Sequence, residues 1–489
     1  MPILIIADDR TDWPFKLPDV RVVDAHSYLT HSEYSDLRGV RVFNLCRSYR
    51  YQSVGYYVSL LAEARGHRPL PSCTSIQDLK SQTVVRLVSD ELEELIQESL
   101  KPIRGDKFTL TIYFGKNVAK RYDRLSLHLF DTFQAPMLRA QFARHEQWEL
   151  RSVAAISASE IPDAHKEFVL RVAQEYFAGR RARVRKQTPA RYDLAILYNP
   201  DAAESPSDEK AIGKFIKAAQ ALGLSADVID RQDFSHVAEY DALFLRETTS
   251  VNHHTYRFAQ RARGEGLVVI DDPESIVKCT NKVYLAELLN RHAVPAPRTM
   301  VVHLDNAAAV GAELGFPCVL KKPDSAFSMG VVKLGSQAEL DGQLERFLEE
   351  SELLVAQEFL PTTFDWRIGV LDRRPLFACK YYMAPDHWQI AKSDGNGRRQ
   401  YGKTETLPVE LAPRRAVRAA LKAADLIGDG LYGVDVKQSG DKFYVVEVND
   451  NPNIDSGVED QVLRDDLYYR VMSVFLRRIE QMKAGYAVP

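Results

Sequence analysis

The alternation of apolar and polar positions divides this chain of 489 residues into three parts. In the first, short β-branched and aromatic runs predict strands over 3–7, 40–45 and 108–114, and apolar residues three and four apart predict helices over 53–65, 84–100 and 165–177. This part reads as an α/β domain of its own. The basic tract Arg180, Arg181, Arg183, Arg185 and Lys186 closes it as a helix end and linker ahead of Thr188-Pro189. From Asp193 a regular alternation begins, with strands over 194–198, 226–229, 242–245 and 267–270 and helices over 208–222 and 254–263. That order predicts a small doubly wound parallel sheet. The remainder mixes both periods and reads as α+β. The expectation is an α/β protein of three domains, 1–188, 189–275 and 276–489.

The last part holds the most telling polar positions. A β-branched and aromatic run predicts a strand over 443–448, in which Glu447 and Asn449, two apart, share a face with Cα atoms roughly 7 Å apart. A second strand is predicted over 431–437, and Ser439-Gly440-Asp441 has turn chemistry for a hairpin between them. An odd-length loop centred on Asp441 sets Asp435 opposite Glu447, whereas a two-residue loop would pair Asp435 with Val446. Asp435, Glu447 and Asn449 are three hard oxygen donors. On one face they suit Mg²⁺, which keeps waters and takes further ligands from substrate phosphates. A solvated edge hairpin is the plainer alternative, yet the trio interrupts two otherwise apolar strands.

Composition narrows the class. Lys plus Arg at 64 against Asp plus Glu at 67 leaves a net charge of -3, with no basic excess to hold nucleic acid. The five cysteines are scattered in apolar contexts without Cys-x-x-Cys pairs, as expected of reduced thiols in a cytoplasmic protein. No apolar stretch is long enough to span a membrane. Self-association is left open.

Other residues gather around the candidate magnesium site. Arg246 stands at a strand end of the parallel sheet and is a candidate anchor for a substrate carboxylate or phosphate, a surface ion pair being the alternative. His253 and His254 beside it show no third ligand. Lys282 starts a helix and Lys321 ends an apolar strand. The loop holding Ser325, Ser328 and Gly330 could fold over phosphates or be a plain hairpin turn. The strand over 353–361 brings Gln357, Glu358, Phe359 and Leu360 to a proline, with Asp365 and Arg367 just beyond. The glycine-rich, basic stretch 392–403, with Arg398 and Arg399, is a candidate lid, and Lys380 ends a strand expected to face the same region.

The order Lys282, Lys321, loop, Gln357 to Leu360, Asp365-x-Arg367, Asp435, Glu447-x-Asn449 resembles the ATP-grasp superfamily over about residues 191–480, most closely its RimK-type and glutathione-synthetase-type ligases. The first part resembles an N-terminal extension attached to some RimK-like proteins, its cues being the run from Asn44 to Tyr57 and Phe114-Gly115-Lys116. The resemblance implies two subdomains holding ATP between them, and a carboxylate phosphorylated before an amine attacks it. It further implies that Lys282 and Lys321 contact phosphates, backbone groups of Phe359 and Leu360 meet adenine, and Asp365 takes the ribose hydroxyls. Asp435, Glu447 and Asn449 would hold Mg²⁺, with Mn²⁺ as an alternative, and Arg367 would meet the anionic intermediates. The implied activity is carboxylate–amine ligation on amino acids, small peptides or a protein terminus. A small-molecule kinase and a catalytically silent nucleotide-binding regulator stay open.

Overall fold

The computed structural model describes residues 3–484 apart from 36, 38–39, 179–190, 203–204, 325–329 and 394–398. The expected basic linker therefore lies outside the described residues. Two compact units emerge, Met1–Thr188 with Phe234–Glu239, and Pro189–Asp233 with Tyr240–Pro489.

In the first unit, Ile3–Ala7, Val20–Asp24, Arg41–Asn44 and Arg68–Leu70 form a parallel sheet in the spatial order second, first, third, fourth. Leu4 to Ala7 are all buried, as in a sheet covered on both faces. A three-stranded antiparallel sheet, Lys107–Tyr113, Met137–Arg144 and Trp148–Ala155, shares a core with the helices beside it. The single helix predicted over 84–100 is two, Gln82–Glu91 and Glu93–Leu100. Leu92 between them leaves helical geometry at φ -100 and ψ 13, and this break lets Val88 and Ile96 enter the same core.

The second unit opens with Tyr192–Leu197, Leu224–Ile229, Ala242–Leu245 and Val268–Ile270, parallel and in the same spatial order as the first sheet. The likeness extends to the connections. After the third strand of each sheet comes an 11-residue helix, Val54–Ala64 or His254–Gly264, then a left-handed glycine, Gly66 (φ 68) or Gly266 (φ 70), then a three-residue strand. The sequence pattern alone did not disclose this recurrence. Two antiparallel sheets follow. The smaller contains Thr299–Val302, Leu354–Glu358, Cys318–Lys321 and Val331–Leu334 in that spatial order; the larger contains Thr404–Leu407, Arg374–Tyr382, Phe364–Leu371, Leu431–Ser439 and Lys442–Asp450. The helix Arg414–Ile427 lays an alanine-rich face, Ala416, Ala419, Ala420, Ala423 and Ala424, against one side of the larger sheet. Leu194, Ile196, Phe215, Phe244 and Ile270 share one hydrophobic core with Leu371, Phe377, Leu431 and the helix Asp465–Lys483, so the parallel sheet and the larger antiparallel sheet are packed as one body. Among the described residues no helix is long and apolar enough to cross a membrane.

Candidate active site

Strand parity builds the site. In Leu431–Ser439, Tyr432, Val434 and Val436 enter the core beneath the alanine-rich helix, so Gly433, Asp435 and Lys437 occupy the opposite face. Trp366, Ile368 and Val370 do the same in Phe364–Leu371, placing Asp365, Arg367 and Gly369 beside them. The register pairs Asp365 with Lys437, Arg367 with Asp435 and Gly369 with Gly433. A Cβ on Gly433 would meet Pro452 Cβ at 2.7 Å and Arg367 Cδ at 3.1 Å, so the Arg367 side chain crosses the strand only because this position is glycine.

The last strand reaches the same face by an indirect route. The hairpin turn is tight, with Ser439 opposite Lys442 and Val436 opposite Val445, a register that would carry Asp435 to Val446. A bulge between Asp435 and Val436 instead sets Asp435 opposite Glu447 and Gly433 opposite Asn449. It thereby lets Val445 and Val448, three apart, both enter the core while Glu447 and Asn449 stay on the polar face.

Cations close on these carboxylates. Arg367 grips Asp435 with two hydrogen bonds, of 2.6 and 2.7 Å, and Asn449 Nδ2 donates to Asp435 Oδ2 at 3.3 Å. Lys282 Nζ lies 3.2 Å from Glu447 Oε1. From the smaller sheet Lys321 Nζ donates to Gln357 Oε1 at 2.8 Å, and Gln357 is braced in turn by Thr299 at 3.0 Å. Burial opposes the charge on Glu447, but Lys282 and Lys321 outweigh it and hold this carboxyl below its ordinary range. Burial pushes the Asp435 carboxyl up in spite of Arg367. It also lowers the Lys321 ammonium to about 8, against the pull of Glu447.

The remaining positions divide. Gly330, at φ 68, accepts the Lys322 N–H at 2.9 Å and closes the hairpin after Lys321. Ser325 and Ser328 in that loop, and Arg398, lie outside the described residues. The ends of the expected lid form a two-stranded ribbon, Ala391–Ser393 with Arg399–Tyr401. Phe359 stands edge-on to Trp388 at 5.8 Å with Lys333 Nζ 4.2 Å over its ring, and half-buried Leu360 follows it.

Three side chains depart from expectation. Arg246 is fully buried rather than presented to a ligand, and its guanidinium binds Ser207 Oγ, Asn451 Oδ1 and the carbonyls of Pro206 and Pro452. Lys380 pairs with Trp366, not Arg367, across the strands, so it lies on the helix-covered face, over the Phe364 and Trp366 rings and beside Glu405. Strand parity is the reason. Glu358 likewise turns its carboxylate to Arg298, at 2.8 Å, on the face of the small sheet opposite Gln357. Lys437, Thr362 and Trp388 were missed. Parity from Asp435 could have found Lys437, whereas nothing local marks Trp388.

Residues 25–172 match the RimK-like ATPgrasp N-terminal domain and residues 279–463 the RimK-like ATP-grasp domain. A probable alpha-L-glutamate ligase of Marinomonas sp. (strain MWYL1) is 24% identical over 287 residues, covering 55% of this chain and 90% of that protein. The alpha-aminoadipate–LysW ligase LysX of Saccharolobus solfataricus is 29% identical over 195 residues, covering 38% and 67%. Among solved structures, a D-alanine–D-alanine ligase from Bacillus anthracis aligns with a TM-score of 0.46 at 16% identity, over 60% of this chain and 98% of that one.

Proposed function

We propose, from the premise that this chain belongs to the RimK-like ATP-grasp ligases, a family that forms carbon–nitrogen bonds with ATP, that it joins a carboxylate to an amine through an acyl phosphate. The substrates would be amino acids, small peptides or a protein terminus. A carboxylate oxygen attacks the γ-phosphorus and ADP leaves. The amine nitrogen then attacks the acyl carbon, phosphate departs with the C–O bond, and the amine sheds a proton, leaving an amide.

One observation carries this reading: Asp435, Glu447, Asn449 and Arg367 share a single sheet face, onto which Lys282 reaches. Lys282 and Lys321 supply the charge to meet ATP phosphates, the backbone of Phe359 and Leu360 would pair with adenine, and Asp365 would take the ribose. Asp435, Glu447 and Asn449 form an all-oxygen donor set that fits Mg²⁺ or Mn²⁺, the amide oxygen of Asn449 being the atom not turned to Asp435. Held there by Asp435, Glu447 and Asn449, such an ion would offset charge on the transferred phosphoryl group. Arg367 sits next to that position, where an acyl phosphate or tetrahedral anion needs a cation.

The test is release of ADP and phosphate from Mg-ATP, with amino acids and short peptides supplied singly and in pairs and Glu447→Gln as control. Turnover that needs carboxylate and amine together, yields a product lighter than their sum by one water, and vanishes in Glu447→Gln is expected. A phosphorylated product without an amine would mark a kinase instead, and tight nucleotide binding without turnover a regulator.

A further inference from the structure

Lys437 stands two residues beyond Asp435 on the same face, directly opposite Asp365. Its ammonium donates to Asp365 Oδ1 at 2.8 Å, to Asp365 Oδ2 at 3.0 Å and to Thr362 Oγ1 at 2.8 Å. Thr362 Oγ1 donates in turn to Asp365 Oδ1 at 2.8 Å. The pair is well shielded, the Lys437 and Asp365 side chains being 16% and 12% exposed.

The donor count is decisive. An ammonium has three N–H groups, and all three are taken, so Lys437 has none left to anchor a phosphate. A carboxylate has about four lone-pair positions. Oδ1 uses two, for Lys437 and Thr362, and Oδ2 uses one, which leaves one acceptor direction on Oδ2. An exposed aspartate on a free rotor would offer both oxygens to any hydroxyl pair. This one is clamped and offers a single direction.

We infer that Lys437, together with Thr362, is a positioning residue that fixes Asp365 so that its remaining lone pair meets one ribose hydroxyl of the nucleotide, making sugar discrimination depend on Lys437. The inference rests on the proposed reading of Asp365 as the ribose acceptor. It assigns Lys437 a part in nucleotide selection and none in phosphoryl transfer.

Binding of ATP, 2′-deoxyATP and 3′-deoxyATP with Mg²⁺, followed calorimetrically, tests it on the full chain. The native protein should prefer ATP over one of the two deoxynucleotides by roughly tenfold or more, the loss expected for one hydrogen bond to a charged acceptor. Asp365→Asn and Lys437→Met should each reduce that preference to near unity, and Lys437→Arg should restore part of it. A loss of packing alone would weaken all three nucleotides together and leave their ratio intact. Should Lys437→Met not fold, Thr362→Val removes one clamp member and should lower the same ratio. A preference that disappears in Asp365→Asn but persists in Lys437→Met, or in Thr362→Val when only that variant folds, would overturn the inference while leaving the ligase reading in place. The absence of any preference in the native protein would overturn it too. Failure of the native protein to bind Mg-ATP at all would instead remove the functional reading on which it rests.

Discussion

The two four-stranded parallel sheets share strand order, helix length and glycine-marked helix ends, yet their carboxyl ends have opposite fates. In the N-terminal sheet the charged groups there answer one another near the surface. Arg47, 58% exposed, forks onto Asp12, and Asp8 accepts the Arg47 N–H at 2.6 Å. In the second sheet they turn inward and bind the strands that carry the candidate site. Arg246 binds Asn451 Oδ1 at 2.7 Å, and the Asp271 carboxylate accepts the N–H groups of Leu431 and Asn451. The second scaffold is thus tied to the strands of the candidate site by buried polar groups whose hydrogen bonds are internal.

Removing Arg246 is the severest way to break this comparison. Arg246→Met leaves buried acceptors on Ser207, Asn451, Pro206 and Pro452 without their donor. It should destabilise the second unit by about 3 kcal/mol or more in denaturant unfolding and take turnover with it. A stable, active Arg246→Met protein would show that the inward tie is dispensable. Gly433→Ala comes next. The Cβ would meet Pro452 Cβ at 2.7 Å, so a loss of about 1–3 kcal/mol is expected, with Arg367 displaced from Asp435 and activity lost beyond what stability explains.

A pH titration combined with a substitution at Lys321 sharpens the contrast, because burial brings this ammonium of the second unit down to about 8. The proposed contact with ATP phosphates needs its charged form. Nucleotide affinity should therefore fall as pH rises through 8, by up to about tenfold per pH unit, and Lys321→Arg should flatten the profile because a guanidinium stays charged. A native profile level from pH 7 to 9.5 would contradict this. The smallest effect belongs to the N-terminal sheet. Arg47→Ala removes only a solvent-screened ion pair and should leave the unfolding midpoint essentially where it is, without change in turnover.

Much of the hairpin's geometry was legible in the sequence. Period-two patterning placed Glu447 with Asn449, and turn residues announced the hairpin. The pairing of Asp435 with Glu447 was anticipated through an odd-length loop; the chain reaches it through a tight turn and a bulge at Val446. Arg246, Lys380 and Glu358 are directed otherwise than expected for a common reason. Each is a charged residue at a strand end or edge, where residue type suggests a ligand but the direction of the side chain depends on what packs from elsewhere. The parallel-sheet recurrence escaped notice because its helices expose different side chains, Tyr57 and Leu60 in one and Arg257 and Gln260 in the other.

The sequence by itself determined the α/β class, the alternation that builds the parallel sheets, and the presence of two carboxylates and an amide on one hairpin. These follow from local periodicity and turn chemistry, which act over a few residues. Tertiary structure alone decided which cation closes on which carboxylate. Arg367 and Asp435 are 68 residues apart and Arg246 and Asn451 are 205 apart, so no local rule couples them. Burial decided it. A charge taken out of water must find its partners wherever the fold brings them, and that placement belongs to the packed whole.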